Sequence, residues 1–221
     1  MHVGNDDGYI EMENEVEFGN VRIDKISDEE FEYQQKQFEA ISDNIQLFQT
    51  FKSGIENLKK LNTVKLDDEE LDFILKLQVY SGVISVMETL LSDAFINLIF
   101  GSKDLLKKFV QSYPEFRQRK FEFKDIFHQY EKLNESVKLV LLDIVYHDLR
   151  KVREMYRDTF EIEFPDLEKP IQCVLVRHDI VHRNGKTKDG KILSIKPQDV
   201  SYAIGVIDEF ITDIAKKLDL I

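Results

Sequence analysis

Arg177-His178-Asp179-Ile180-Val181-His182-Arg183-Asn184-Gly185 gathers two guanidinium groups, two imidazoles and a carboxylate into one short run. A guanidinium can pair with two oxygens of a phosphate while keeping its charge, and a histidine gives or takes a proton near neutral pH. Side by side, these groups suit the binding or cleavage of a phosphodiester, RNA above all. The same residue types also serve a plainer purpose, with His178 and His182 capping a helix end or satisfying core carbonyls.

Spacing sharpens the geometry. On a helix, Arg177 and His182 are five residues apart, about 140° around the axis, whereas His178 and His182 stand four apart on nearly one face. The first pair converges only if the helix ends near His182 or a second subunit completes the pocket. The i, i+4 histidines have a spacing some zinc sites use, but there is no clear third ligand and Asp179 lies off their shared face, so neither metal nor cofactor is expected. Asp179 either holds a histidine tautomer or pairs with Arg183, and Asn184-Gly185 reads as the turn that stops the helix.

The elements that must position these groups are helical. Ser27 and Glu30 make a capping box before the stripe Phe31, Phe38, Ile41, Ile45, Phe48, Ile55 and Leu58, predicting a long helix that ends near Leu61-Asn62. Asp67 with Glu70 starts a second, apolar on most faces from Leu71 to Ile99, with Gly82 available for a bend or a close crossing. Glu88 and Asp93 are the carboxylates inside its most apolar half, candidates for orienting an arginine or a base, or for a structural pair. A short helix runs from Ser102 through Val110, with Pro114 closing the next turn. Lys124 to about Phe160 reads as one long helical region. Asp166 and Pro170 lead into the helix carrying the motif. A brief hairpin or ordered loop around Gly190 and Ile192–Ile195 follows, and Pro197 opens a last amphipathic helix. The expected fold class is all-α, an antiparallel helical bundle with a short hairpin near the C-terminus.

At 221 residues the chain is long enough for one substantial core, and 43% hydrophobic residues with 16 Phe and 4 Pro suit a folded helical domain. Cys173, the only cysteine, lies in an apolar run and is expected to be a buried structural thiol. The first 26 residues read as an acidic extension or lid, without the pattern of a secretion signal, and residues 27–221 as the domain. Later apolar stretches are expected to be too punctuated by charge to span a bilayer, giving a cytoplasmic protein with no membrane partner. A net charge of -12 argues against diffuse binding of nucleic acid. That charge is uneven, with 21 acidic and 8 basic residues among positions 1–100 but 10 and 13 among 101–160, which leaves room for a local positive pocket in which Arg177, Arg183 and Lys186 converge with Arg150 or Arg153.

The stretch Arg177-His178-Asp179-Ile180-Val181-His182 resembles the signature of the HEPN superfamily, an arginine, a polar residue, three residues and a histidine, particularly in the RiboL-PSP group. Glu88-Thr89-Leu90-Leu91-Ser92-Asp93-Ala94-Phe95 resembles the acidic segment of that family's early helix. Tyr146-His147-Asp148-Leu149-Arg150-Lys151-Val152-Arg153-Glu154-Met155-Tyr156 is similar to the helix before the signature. The resemblance covers roughly residues 70–220. It implies a self-pairing helical bundle, and in many members a metal-independent ribonuclease of defence, toxin–antitoxin or RNA-processing systems, with an antitoxin or regulatory protein as a further partner. Other members are non-catalytic modules that bind RNA, a nucleotide or a protein. Carried over, Arg177 and His182 are the catalytic positions and His178 the adjacent polar one, with Asp179, Arg183 and Asn184 as supporting or phosphate-binding groups. Asn184 stands where one toxin subgroup has tyrosine, so that subgroup's tyrosine-dependent regulation is not carried over.

Overall fold

The computed structural model describes Lys36 and residues 46–221, and the chain there is all-α. In order come α1 (Leu47–Thr63), α2 (Glu69–Gly101), α3 (Lys103–Ser112), α4 (Pro114–Gln118), a 3-10 turn (Phe123–Asp125), α5 (Ile126–Glu131), α6 (Leu133–Leu142), α7 (Leu149–Phe160), α8 (Glu168–His182) and α9 (Pro197–Lys217). The predicted extension over residues 1–26, and the helix start at Ser27 with its stripe through Ile45, lie outside the described residues.

α2 is the axis of the bundle. Its cap is Asp68 rather than Asp67, because the Asp68 carboxylate accepts from the backbone N–H groups of both Glu70 and Leu71, at 2.9 and 3.0 Å. Val79, Val83, Ile84, Met87, Leu91, Phe95 and Ile99 are buried, so neighbours cover the helix on several sides. The expectation that charges punctuate every apolar stretch fails here, since only Glu88 and Asp93 are charged between Leu77 and Phe100. By length and composition α2 could cross a membrane, and 56% of its apolar window is buried inside the bundle.

α1 runs antiparallel to α2, and two glycines set the distance. A Cβ on Gly82 would lie 2.9 Å from Leu58 Cδ2, and one on Gly54 would lie 3.1 Å from Val86 Cγ1. Gly82 therefore permits a close crossing. At the tight end of this pair, Lys76 is 2% exposed and donates to the carbonyls of Val64 (2.5 Å) and Asn62 (3.2 Å), with Asp72 Oδ1 at 3.6 Å. Asn62 in turn donates to Pro197 O and Ser201 Oγ at 2.9 and 3.0 Å, tying the α1–α2 turn to the start of α9.

At the other end of α2, aromatic rings join four helices. The Phe95 ring centroid lies 5.2 Å from Phe109 of α3 and 5.2 Å from Tyr156 of α7, and Phe164, 5.0 Å from Tyr156, reaches Phe210 of α9 at 5.7 Å. The fully buried Tyr156 hydroxyl donates to Leu91 O at 2.5 Å.

Three predicted elements differ in detail. Pro114 opens α4 instead of closing a turn, since its missing N–H costs nothing at a helix start. The long helix expected from Lys124 to Phe160 is broken into the 3-10 turn, α5, α6 and α7. The decisive break falls between Leu142 and Leu149, where the Asp148 side chain accepts from Lys151 N–H and begins α7 afresh. Buried Tyr146 anchors the connection through its hydroxyl, which donates to Leu141 O at 3.4 Å. Near the C-terminus, the hairpin is present as a single antiparallel bridge between Lys186 and Ile192, turned by Gly190 at φ 76°.

Candidate functional site

α8 carries the motif and ends as its composition predicts. His182 is its last residue, Asn184 and Gly185 take φ of 51° and 72°, and Gly185 N–H donates to the carbonyls of Asp179 and Ile180, each at 3.2 Å. A Cβ on Gly185 would come within 3.3 Å of Leu77 Cδ1, so this turn sits against α2. Lower on the helix, Cys173 is buried, and burial raises its thiol above the ordinary range, with Tyr80 opposing, the reverse of what a nucleophile needs.

The motif residues divide between two faces. Arg177, 16% exposed, turns towards α2, where Nη2 lies 4.0 Å from Glu88 Oε1. The same oxygen is 2.9 Å from His147 Nδ1, in the connection before α7. The His147 approach is a close contact rather than an aligned hydrogen bond, because Glu88 Oε1 and Arg177 Nε are both buried without a hydrogen-bond partner. Glu88 is thus approached by a guanidinium and an imidazole and clamped by neither. On the other face, the rings of His178 and His182 lie 4.6 Å apart between centroids, tilted by 42°. His178 is half-buried and His182 exposed.

Asp179 pairs with Arg183 one turn on, so of its two predicted uses the ion pair is the one formed. Among the described residues no ion pair or hydrogen bond links Arg150 or Arg153 to this cluster. Asp93 also stands apart. Five residues beyond Glu88, it is rotated by about 140° on α2. Its charge adds to the burial that drives the Tyr156 and Tyr146 hydroxyls well above their ordinary range. His147 is the residue sequence reasoning missed as a site member. The Tyr146-His147-Asp148 run carried the signal, an aspartate able to cap a new helix, but reading it as mid-helix concealed the loop that brings His147 to Glu88.

His178 is held below the ordinary histidine range, first by partial burial, then by His182 and Arg183, with Asp179 opposing them. An NMR titration is expected to show the His178 imidazole changing charge at lower pH than a free histidine, and His182→Ala to move that midpoint upward. A midpoint insensitive to His182→Ala would contradict the coupling.

Among the described residues, no group of three His, Cys, Asp or Glu side chains is placed to hold a metal ion. No family model, curated protein or solved structure gives a match to this chain.

Proposed function

We propose that this chain is a metal-independent endoribonuclease of HEPN type, acting as a homodimer. The observation that carries the reading is a loosely held guanidinium and two imidazoles on the last turns of one helix, Arg177 standing 4.0 Å from Glu88, its one carboxylate neighbour among the described residues, and the His178 and His182 rings in tilted contact on the other face. A cation clamped by its acid serves structure, whereas one held at that distance keeps nitrogens for an anion.

In the proposed reaction His182 takes the proton of a ribose 2′-hydroxyl as its oxygen attacks the adjacent phosphorus. Arg177 stabilises the charge developing on the nonbridging oxygens, and the P–O5′ bond breaks as the leaving oxygen takes a proton from the partner's His182. The products are a 2′,3′-cyclic phosphate and a 5′-hydroxyl. His178, held below the ordinary histidine range, sits beside His182 with its ring centroid 4.6 Å away. Glu88 and His147 set the position of Arg177.

With α8 helical through His182, one copy holds Arg177 and His182 about 140° apart around the axis, and in the proposed dimer a second copy brings one of each to a single linkage. Mixed-sequence RNA incubated with the full chain in EDTA should be cut while DNA of the same sequence survives, and light scattering should find a dimer. RNA left intact across pH would favour the non-catalytic binding module, and equal cutting of DNA would remove 2′-hydroxyl attack.

A further inference from the structure

We infer that residues 119–132 form a docking arm for single-stranded RNA, in which exposed aromatic rings stack on bases and neighbouring cations hold phosphates. The surface stands on its own observations, while the choice of RNA over DNA rests on the activity proposed above.

The arm is unusual for what it leaves uncovered. Neither the 3-10 turn Phe123–Asp125 nor α5 contains a buried residue, yet Phe123 is 87% exposed, Phe127 79%, Tyr130 75% and Phe121 58%. Phe127 and Tyr130 stand three apart on α5 and share a face, and Phe123 opens the 3-10 turn just before it. Elsewhere in the chain Phe95, Phe109 and Tyr156 are wholly buried, so the arm's rings are exposed by placement. An exposed apolar face of this kind marks a surface with a partner.

Charge selects the partner. Residues 119–132 carry four basic and three acidic side chains, a balance of +1 within a chain of -12, and Arg117 lies just before them. Lys124 pairs with Glu122 and Arg119 with Glu115, while Arg117, Lys120 and Lys132 have no ion-pair partner among the described residues. A second copy would bring the same positive charge to the same place. A single-stranded nucleic acid instead supplies a phosphate at every step and a planar base for each ring, and such stacking tolerates any sequence. Beyond the arm, α6 extends for about 15 Å and leads to the connection that presents His147 to Glu88. On this proposal a strand longer than a dinucleotide engages both places.

The test uses the full chain and a fluorescein-labelled 2′-O-methyl oligouridine, which resembles RNA and cannot be cleaved by 2′-hydroxyl attack. The triple variant Phe123→Ala, Phe127→Ala, Tyr130→Ala is expected to bind it at least about 10-fold more weakly by anisotropy. Its circular dichroism and thermal midpoint should be unchanged, since none of the three rings is buried. Cleavage of a dinucleotide should also be unchanged, as it is too short to reach the arm. If the variant loses affinity although no RNA is ever cut, the arm stands and the nuclease reading falls. Equal affinity of variant and parent, no binding by the parent, or conversion of a dimer to a monomer would overturn the arm as an RNA surface, the last in favour of self-association.

Discussion

His182→Ala is expected to slow RNA cleavage by about a hundred- to ten-thousand-fold, the range that a positioned general acid or base contributes. His182 is exposed at the end of α8, and among the described residues its ring contact is with His178, so the substitution removes the proposed proton carrier without opening the core. Arg177→Ala should cost about a hundred- to a thousand-fold, in the range of a lost transition-state donor. Arg177→Lys should rescue little, because an ammonium cannot offer two parallel N–H groups to a phosphate. The rate constant under saturating RNA is the quantity to measure, with circular dichroism confirming the fold. Cleavage within a few-fold of the parent in His182→Ala would show that the imidazole on this face is not the proton carrier.

Lys76→Met should lower unfolding stability by about 3 kcal/mol, in the range for removing one partner from a buried polar cluster. Methionine fills similar space but supplies no donor, so the Val64 and Asn62 carbonyls and the Asp72 carboxylate lose the ammonium that gathers them. Asn62 also links this turn to Pro197 and Ser201 of α9, so the loss spreads to the α1–α2–α9 face. Leu77, the next residue, underlies Gly185 at the end of the motif, and the same substitution should loosen that turn. The shift of the urea midpoint at constant slope checks the magnitude. A midpoint within about 0.5 kcal/mol of the parent would mean that water replaces the ammonium at no cost.

Helical periodicity made most of the scaffold legible. The stripe Val200, Ile204, Ile207, Phe210, Ile211 and Ile214 is buried as its spacing requires, and Asn184-Gly185 ends α8 through two left-handed residues. Breaks were harder to read, because the apolar repeat runs across residues 143–148 while Asp148 as cap and Tyr146 as anchor decide against a continuous helix. That misplacement hid His147, whose role depends on which loop meets which turn of α2. The choice between Glu88 and Asp93 was likewise a matter of rotation around α2, one facing Arg177 and the other lying near the buried tyrosines. The exposure of Phe127 and Tyr130 was not legible in sequence, since periodicity reports a face and not whether a neighbour covers it.

The central claim is that Arg177 and His182 act on one phosphodiester through the neighbouring 2′-hydroxyl. Phosphorus NMR of a dinucleotide incubated with the full chain in EDTA tests it most directly. The predicted result is growth of a 2′,3′-cyclic phosphate signal that either Arg177→Ala or His182→Ala suppresses. A linear monophosphate formed without the cyclic species, or a cyclic signal undiminished in both variants, would contradict it.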